Sequence, residues 1–273
     1  MTIGLIAGNG TFPFLVLRAA RRLGREVVAV GIRGEAFPEL EDLARELGGT
    51  TFTWVELGQL GKCIKALKAG GVTQAVMAGQ VKHVKLFGGV MPDMTLLTVL
   101  TKLKGQNTDA LIAAVAEVLQ DHGITLMDST QLLPDLVAPA GVLSQARPTD
   151  AMHVDFLFGY RVADAIAGVD VGQTVVVKDR AVVAVEGMEG TDAAIRRAGQ
   201  LAGAGTRVIK VAKPKQDMRF DVPVVGVATV TAMTEAGADA LTIDAGRTLI
   251  LDGDEFIKAA NRAGLVVIGR SRT

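Results

Sequence analysis

Over about its first 125 residues the chain alternates apolar runs with amphipathic stretches, at the spacing of parallel βαβ units. Thr2–Ala7, Glu26–Val30, Thr51–Val55 and Gln74–Ala78 are short and mostly apolar, as strands covered on both faces must be. Between them Phe12–Leu23, Pro38–Leu47 and Leu57–Ala69 carry apolar residues at helical spacing. Asp93–Lys102 and Asp109–His122 continue as helices, and Ile124–Met127 reads as a short strand. Strands joined by crossovers of this length pair in parallel. Residues 1–130 are therefore expected to form a Rossmann-like parallel-sheet α/β domain that binds nucleotide beyond the carboxyl ends of its strands.

Residues 131–150 break the rhythm. They contain Pro134, Pro139 and Pro148 with little periodicity, and a linker between domains is expected there. Residues 151–273 then read as a mixed α/β domain. Ala151–Gly168 is helical, and Gln173–Lys178 with Ala181–Glu186 makes a hairpin around Asp179-Arg180. A helix starts near Thr191 or Asp192 and runs to Ala202; Arg207–Val211 is a strand and Val227–Ala236 a helix. Ala240–Asp244, Thr248–Leu251 and Val266–Gly269 are strands, with Asp254–Ala263 helical.

Charge and composition exclude several classes. Lys and Arg number 29 and so do Asp and Glu, with no clustered basic stripe, which argues against nucleic-acid binding. One cysteine, Cys63, and three scattered histidines cannot build a standard zinc site. Apolar runs stop well short of the ~20 residues of a membrane span, and the basic cluster Arg18, Arg21, Arg22 follows the first apolar run instead of preceding it. A cytoplasmic protein is expected.

Two stretches carry the chemistry. One is Val185-Glu186-Gly187-Met188-Glu189-Gly190-Thr191-Asp192, and the other runs from Lys213 through Gln216, Asp217, Arg219 and Asp221 to Pro223. In an extended Gln216–Val222 segment Asp217, Arg219 and Asp221 would share one face, above an apolar underside of Met218, Phe220 and Val222. Carboxylates beside cations suit a metal–phosphate site. Asp221 is suited to hold Mg²⁺, with Mn²⁺ as the other candidate, or to take a proton from water, while Lys213 and Arg219 offset phosphoryl charge. Glu186, Glu189 and Asp192 are further candidate metal ligands, although Thr191-Asp192 equally suits an ordinary helix N-cap. Lys178 ends one strand of the hairpin and Glu186 the other, which makes Lys178 a substrate-binding candidate. In the first domain, Gly8-Asn9-Gly10 lies between a strand and a helix, where backbone N–H groups can hold phosphate. It is half of a dinucleotide fingerprint. The second strand ends Val30-Gly31-Ile32-Arg33, without the acidic residue that would bind an NAD ribose, while Arg33 leaves an NADP-dependent oxidoreductase open. Gln80, in Ala78-Gly79-Gln80-Val81, is placed to meet a uracil or ribose, and Asp109 is either a ligand or a plain helix-start acid.

These stretches resemble the LpxI-type UDP-2,3-diacylglucosamine pyrophosphatases of lipid A assembly. The similarity extends from Gly4–Gly10 and Pro13 through Gly79-Gln80, Lys104-Gly105, Asp109-Ala110-Leu111 and Gly172-Gln173 to Glu189–Asp192 and Lys213–Gly226. It implies Mg²⁺-assisted hydrolysis of UDP-2,3-diacylglucosamine to 2,3-diacylglucosamine 1-phosphate and UMP, with water attacking the β-phosphorus. By position it implies substrate contacts from Gly8, Asn9, Gly10, Gln80, Asp109, Lys178, Thr191 and Gln216. Two acyl chains need an apolar groove, and Leu86–Pro92 and Phe156-Leu157-Phe158 are candidates, though core packing is the stronger explanation of each. A homo-oligomer, in the simplest case a dimer, and peripheral contact with the cytoplasmic face of the inner membrane are expected. A non-catalytic nucleotide-sugar binding or regulatory protein is the rival reading. Only catalysis requires the Glu189–Asp192 and Asp217–Asp221 carboxylates to converge.

Overall fold

The structure, a computed structural model, describes residues 1–81, 91–102, 108–220 and 222–271. Asp221, the side chain of Asp109, the apolar run 86–90 and Lys104-Gly105 therefore lie outside the described residues. The chain divides into two units. Unit 1 comprises Met1–Leu133 with Met218–Asp221, and unit 2 comprises Pro134–Asp217 with Val222–Thr273.

Unit 1 is built on five parallel strands, β1 (Thr2–Ala7), β2 (Glu26–Ile32), β3 (Thr50–Val55), β4 (Gln74–Ala78) and β5 (Thr125–Leu126), in the order β3-β2-β1-β4-β5. The helices α1 (Phe12–Arg22), α2 (Glu39–Leu47), α3 (Leu60–Ala69), α4 (Met94–Lys102) and α5 (Thr108–Asp121) connect or flank them. Ile3, Leu5, Ile6 and Ala7 are buried, so both faces of the central strand are covered, as its unbroken apolar run demands. Helix α1 turns Val16, Leu17, Ala19 and Ala20 inward and leaves Arg18 and Arg22 outside. Helix α3 starts three residues later than its apolar pattern, because Gln59 accepts the Glu56 N–H (3.1 Å) and holds that turn out of the helix.

Unit 2 has a six-stranded mixed sheet in the order β6-β13-β11-β9-β7-β8, from β6 (Gly141–Val142), β7 (Thr174–Lys178), β8 (Ala181–Val185), β9 (Thr206–Lys210), β11 (Ala238–Asp244) and β13 (Val266–Arg270). β9, β11 and β13 are parallel; β7 runs against β9, β8 against β7, and β6 against β13. Period-2 alternation separates the two cores. Val175, Val177, Ile209 and Ala240 pack with α6 (Asp150–Gly168). Val176, Val208, Leu241 and Ile243 pack with α7 (Thr191–Ala202), α8 (Val227–Ala236) and α9 (Asp254–Arg262).

Three expectations change. The stretch 134–149 is part of unit 2: the Ala138 N–H reaches the Thr248 carbonyl, and β6 closes the sheet edge beyond β13. Met218–Asp221 belongs to unit 1, not to the domain that surrounds it in sequence. The Thr248–Leu251 strand, β12 (Leu249–Ile250), leaves the main sheet and pairs with β10 (Val224–Val225) as a separate two-stranded ribbon.

Candidate functional site

In unit 1 the chain leaves β1 towards β2 on one side, while β4 lies on the other. The carboxyl edge between β1 and β4 is thus the switch point at which open α/β sheets bind ligands. The two loops there are laced together. Gly8 donates its N–H to the Ala78 carbonyl (2.8 Å), Asn9 donates to Gln80 (2.7 Å), and Gln80 donates back to Asn9 (3.0 Å). Only glycine fits this lacing. A Cβ on Gly8 would lie 2.5 Å from the Gln80 carbonyl oxygen, and one on Gly79, at φ +86, 2.4 Å from that of Asn9. The Asn9 side chain donates to the Glu35 carbonyl (3.1 Å), so it braces the loop, and Gln80 is left exposed beside it. Thr11 precedes α1 without a side-chain cap; Pro13 has no N–H to offer, and the Thr11 carbonyl accepts those of Phe14 (3.1 Å) and Leu15 (3.3 Å).

The second stretch reaches the same sheet. Ser129 lies just beyond β5, where its N–H donates to the Met218 carbonyl (2.8 Å). Its hydroxyl bridges the carbonyls of Arg219 (2.8 Å) and Met77 (3.0 Å). Consecutive carbonyls of a strand point to opposite sides. Met218 and Arg219 both face Ser129 and lie in a turn, so the described part of the expected Gln216–Val222 strand is not extended there, while Asp221 lies outside the described residues. Phe220 is buried as expected, with the Arg219 guanidinium 5.6 Å from its ring centre.

In unit 2 the carboxyl ends of the three parallel strands gather charge. Lys210 ends β9, Asp244 ends β11 and Arg270 ends β13. Lys210 is buried and donates to the Thr191 hydroxyl (2.7 Å), which donates to Glu186 Oε1 (2.8 Å); Glu186 Oε2 is enclosed with no partner among the described residues. Asp244, 1% exposed, accepts the Ala212 N–H (2.8 Å) and Arg270 Nε (2.6 Å). Asp164 takes the Arg270 fork at 3.0 and 3.1 Å, and the Tyr160 ring centre lies 4.1 Å from the guanidinium carbon. Burial works against the Arg270 charge, and hydrogen bonds to Asp164 and Asp244 outweigh it, so its pKa is raised. Burial likewise raises the Tyr160 phenol. Lys213 pairs with Asp170 (2.6 Å), and its N–H reaches Gln216 Oε1 (3.1 Å), folding the start of the signature into a turn.

Other candidates separate. Lys178 lies at the opposite edge of the sheet, where its ammonium donates to the Ala202 and Ala204 carbonyls (2.8 Å each) and caps the end of α7. It is not at the carboxyl edge, because β7 runs against β9. Glu189 is held by Arg197 (2.5 Å), which lowers its pKa, and accepts the Gly187 N–H (3.0 Å). Asp192 sits in the first turn of α7. Among the described residues no group of three or more His, Cys, Asp or Glu side chains is placed to share a metal ion. Glu186, turned to Thr191, and Glu189, turned to Arg197, therefore form no cage with Asp192. Sequence reasoning missed Ser129, Lys210, Asp244 and Arg270. The signal for the last three was a charged residue closing each of three apolar parallel strands.

A family model of the LpxI N-terminal domain matches residues 2–136, and one of the LpxI C-terminal domain matches residues 139–268. UDP-2,3-diacylglucosamine pyrophosphatase LpxI of Caulobacter vibrioides is 33% identical over 278 residues, covering 98% of this chain and 96% of that protein. A solved UDP-glucose-4-epimerase from Stenotrophomonas maltophila, with bound NAD and formylated UDP-arabinopyranose, is 14% identical. It covers 45% of this chain and 34% of its own, with a TM-score of 0.32. Isoflavone reductase is 10% identical, covering 99% of this chain and 78% of its own at a TM-score of 0.30.

Proposed function

Because the chain belongs to the LpxI family, we propose that it hydrolyses the pyrophosphate bond of UDP-2,3-diacylglucosamine, the molecule named for its Caulobacter relative. The observation that carries the reading furthest is the delivery of Met218–Phe220 to the same unit as the laced Gly8–Gln80 loops. That brings a cation of the signature to a sheet whose switch point suits a nucleotide. In this reading the N–H groups around Gly8–Gly10 take the phosphate of the UMP half, and Gln80 takes the base or ribose. Arg219, in the same unit, offsets charge on the pyrophosphate. Water attacks the β-phosphorus and its proton passes to Asp221. The bond from that phosphorus to the bridging oxygen breaks, and UMP leaves with the oxygen, giving 2,3-diacylglucosamine 1-phosphate.

The described carboxylates do not fit a protein-made cage for a divalent cation. Mg²⁺ or Mn²⁺ belongs to the reading as a partner of the substrate phosphates held by one or two carboxylates, the usual situation for Mg²⁺. No described helix is long and apolar enough to cross a membrane. A substrate with two acyl chains is drawn from a bilayer, so the reading includes peripheral contact with the cytoplasmic face of the inner membrane. A homodimer belongs to the same reading.

The test is release of UMP from UDP-2,3-diacylglucosamine by the purified protein with Mg²⁺, and its loss in excess EDTA. Full turnover in chelator removes the cation. Asp221→Ala is expected to keep UMP binding and lose at least about two orders of magnitude in turnover, and Asp217→Ala to lose less. UMP binding without any hydrolysis by the wild type would leave the non-catalytic binder as the better reading.

A further inference from the structure

We infer that Ser129 is a positioning residue for Arg219, fixing the backbone of the signature at the carboxyl end of β4. The pyrophosphatase reading is needed only for the activity half of its test. The argument starts from the ladder. In a parallel strand the N–H and C=O of one residue face the same neighbour, and those of the next residue face the other side. Ala78 receives the Gly8 N–H and so faces β1. Ala75 receives the Met127 N–H and faces β5; Met77, two residues further on, faces the same way. β5 ends at Leu126, which leaves the Met77 carbonyl beyond the last rung of the ladder.

Ser129 completes that rung and redirects it. Its one hydroxyl hydrogen is shared between the Arg219 (2.8 Å) and Met77 (3.0 Å) carbonyls, both within hydrogen-bonding distance of Oγ, while its N–H donates to Met218 (2.8 Å). The residue is 1% exposed. All three contacts are to main-chain carbonyls, so what it determines is the path of a backbone. Alanine in its place would leave the Met77 and Arg219 carbonyls without this donor inside the protein. Arg219 is fixed at both ends of its residue: its carbonyl by Ser129, and its guanidinium beside the ring of the buried Phe220. Asp221 follows Phe220 in sequence.

The experiment compares full-length wild type, Ser129→Ala and Ser129→Thr by steady-state kinetics and by hydrogen exchange of peptides covering residues 214–224. With positioning as the role, Ser129→Ala lowers kcat roughly ten- to a hundredfold with KM changed less than about threefold, the pattern of a misplaced catalytic group. Exchange speeds up in the 214–224 peptide and stays at the wild-type rate in β1–β4. Ser129→Thr, which keeps the hydroxyl, stays within about threefold of wild type. A kcat per folded molecule within twofold of wild type for Ser129→Ala, unchanged exchange in 214–224, or equal impairment of both variants overturns the inference. Should Ser129→Ala fail to fold, the wild-type 214–224 peptide decides: protection comparable to β4 supports the anchor, and exchange at the rate of an unstructured peptide refutes it. If the wild type hydrolyses nothing, the pyrophosphatase reading fails on its own and the exchange comparison still tests the anchor.

Discussion

Removing the Arg270 guanidinium is the sharpest test of how unit 2 holds its charged strand ends. Asp244 is buried and Arg270 partly buried, with side chains 1% and 12% exposed and Nε 2.6 Å from Oδ1. Breaking a buried pair from one side leaves the other charge in a poor solvent, at a cost of about 3–5 kcal/mol. Arg270→Ala does so and also removes the stacking on Tyr160, itself worth roughly 0.5–2 kcal/mol. At about 2–4 °C per kcal/mol for a protein of this order of size, the 3–5 kcal/mol alone predicts a fall of roughly 6–20 °C in Tm. Asp164→Asn removes a charge that is 37% exposed, and the solvent-screened pair it breaks is expected to cost about 1 kcal/mol or less. The assay is thermal unfolding by far-UV circular dichroism. Trp54, the only tryptophan, lies in unit 1, and its fluorescence is a separate reporter of that unit. Arg270→Ala within about 2 °C of wild type, or no less stable than Asp164→Asn, would refute the reasoning.

Two further outcomes are expected. Gly79→Ala places a Cβ 2.4 Å from the Asn9 oxygen at φ +86 and should weaken UMP binding at least tenfold in calorimetry. Gly71→Ala, at φ +68 with open space around it, should cost only about 1 kcal/mol of αL strain and keep wild-type affinity. Cys63 is buried, which pushes its thiol pKa up to about 12, so the thiolate is scarce at pH 8; iodoacetamide should label it only after denaturation, as read by intact mass.

The parallel sheet of unit 1 is legible in the sequence because each of its strands must be apolar along its length and each crossover amphipathic, two periods that cannot be confused over so many repeats. Unit 2 is legible as elements and less so as a sheet. β6 and β10 span two residues each, too short for any period, and they are made by pairing with β13 and β12. The hairpin is clear: Asp179 and Arg180 at φ 50 and 62 form its turn, and Asp155 accepts both of their N–H groups. Its consequence was available as well. The end of a hairpin's first strand lies at the turn and the end of its second strand at the opposite edge, so Lys178 and Glu186 cannot serve one site.

The site is where local reading fails, and the failures share a cause. Periodicity assigns a side chain to a face by assuming its own strand continues. Met218–Phe220 does not continue a strand; its shape is imposed by Ser129, some ninety residues earlier, through hydrogen bonds to carbonyls that carry no trace in the sequence. The charges of Lys210, Asp244 and Arg270 are visible in the sequence, but a charge closing an apolar strand is most simply placed in solvent. Burial reverses that judgement. A buried charge is kept only when its partners are fixed, so Lys210 on Thr191 and Arg270 on Asp244 require the N-terminus of α7 and the peptide before Lys213 to stay where they are. Within unit 2, Thr191 and the peptide before Lys213 are thus tied to charges whose displacement carries an electrostatic cost.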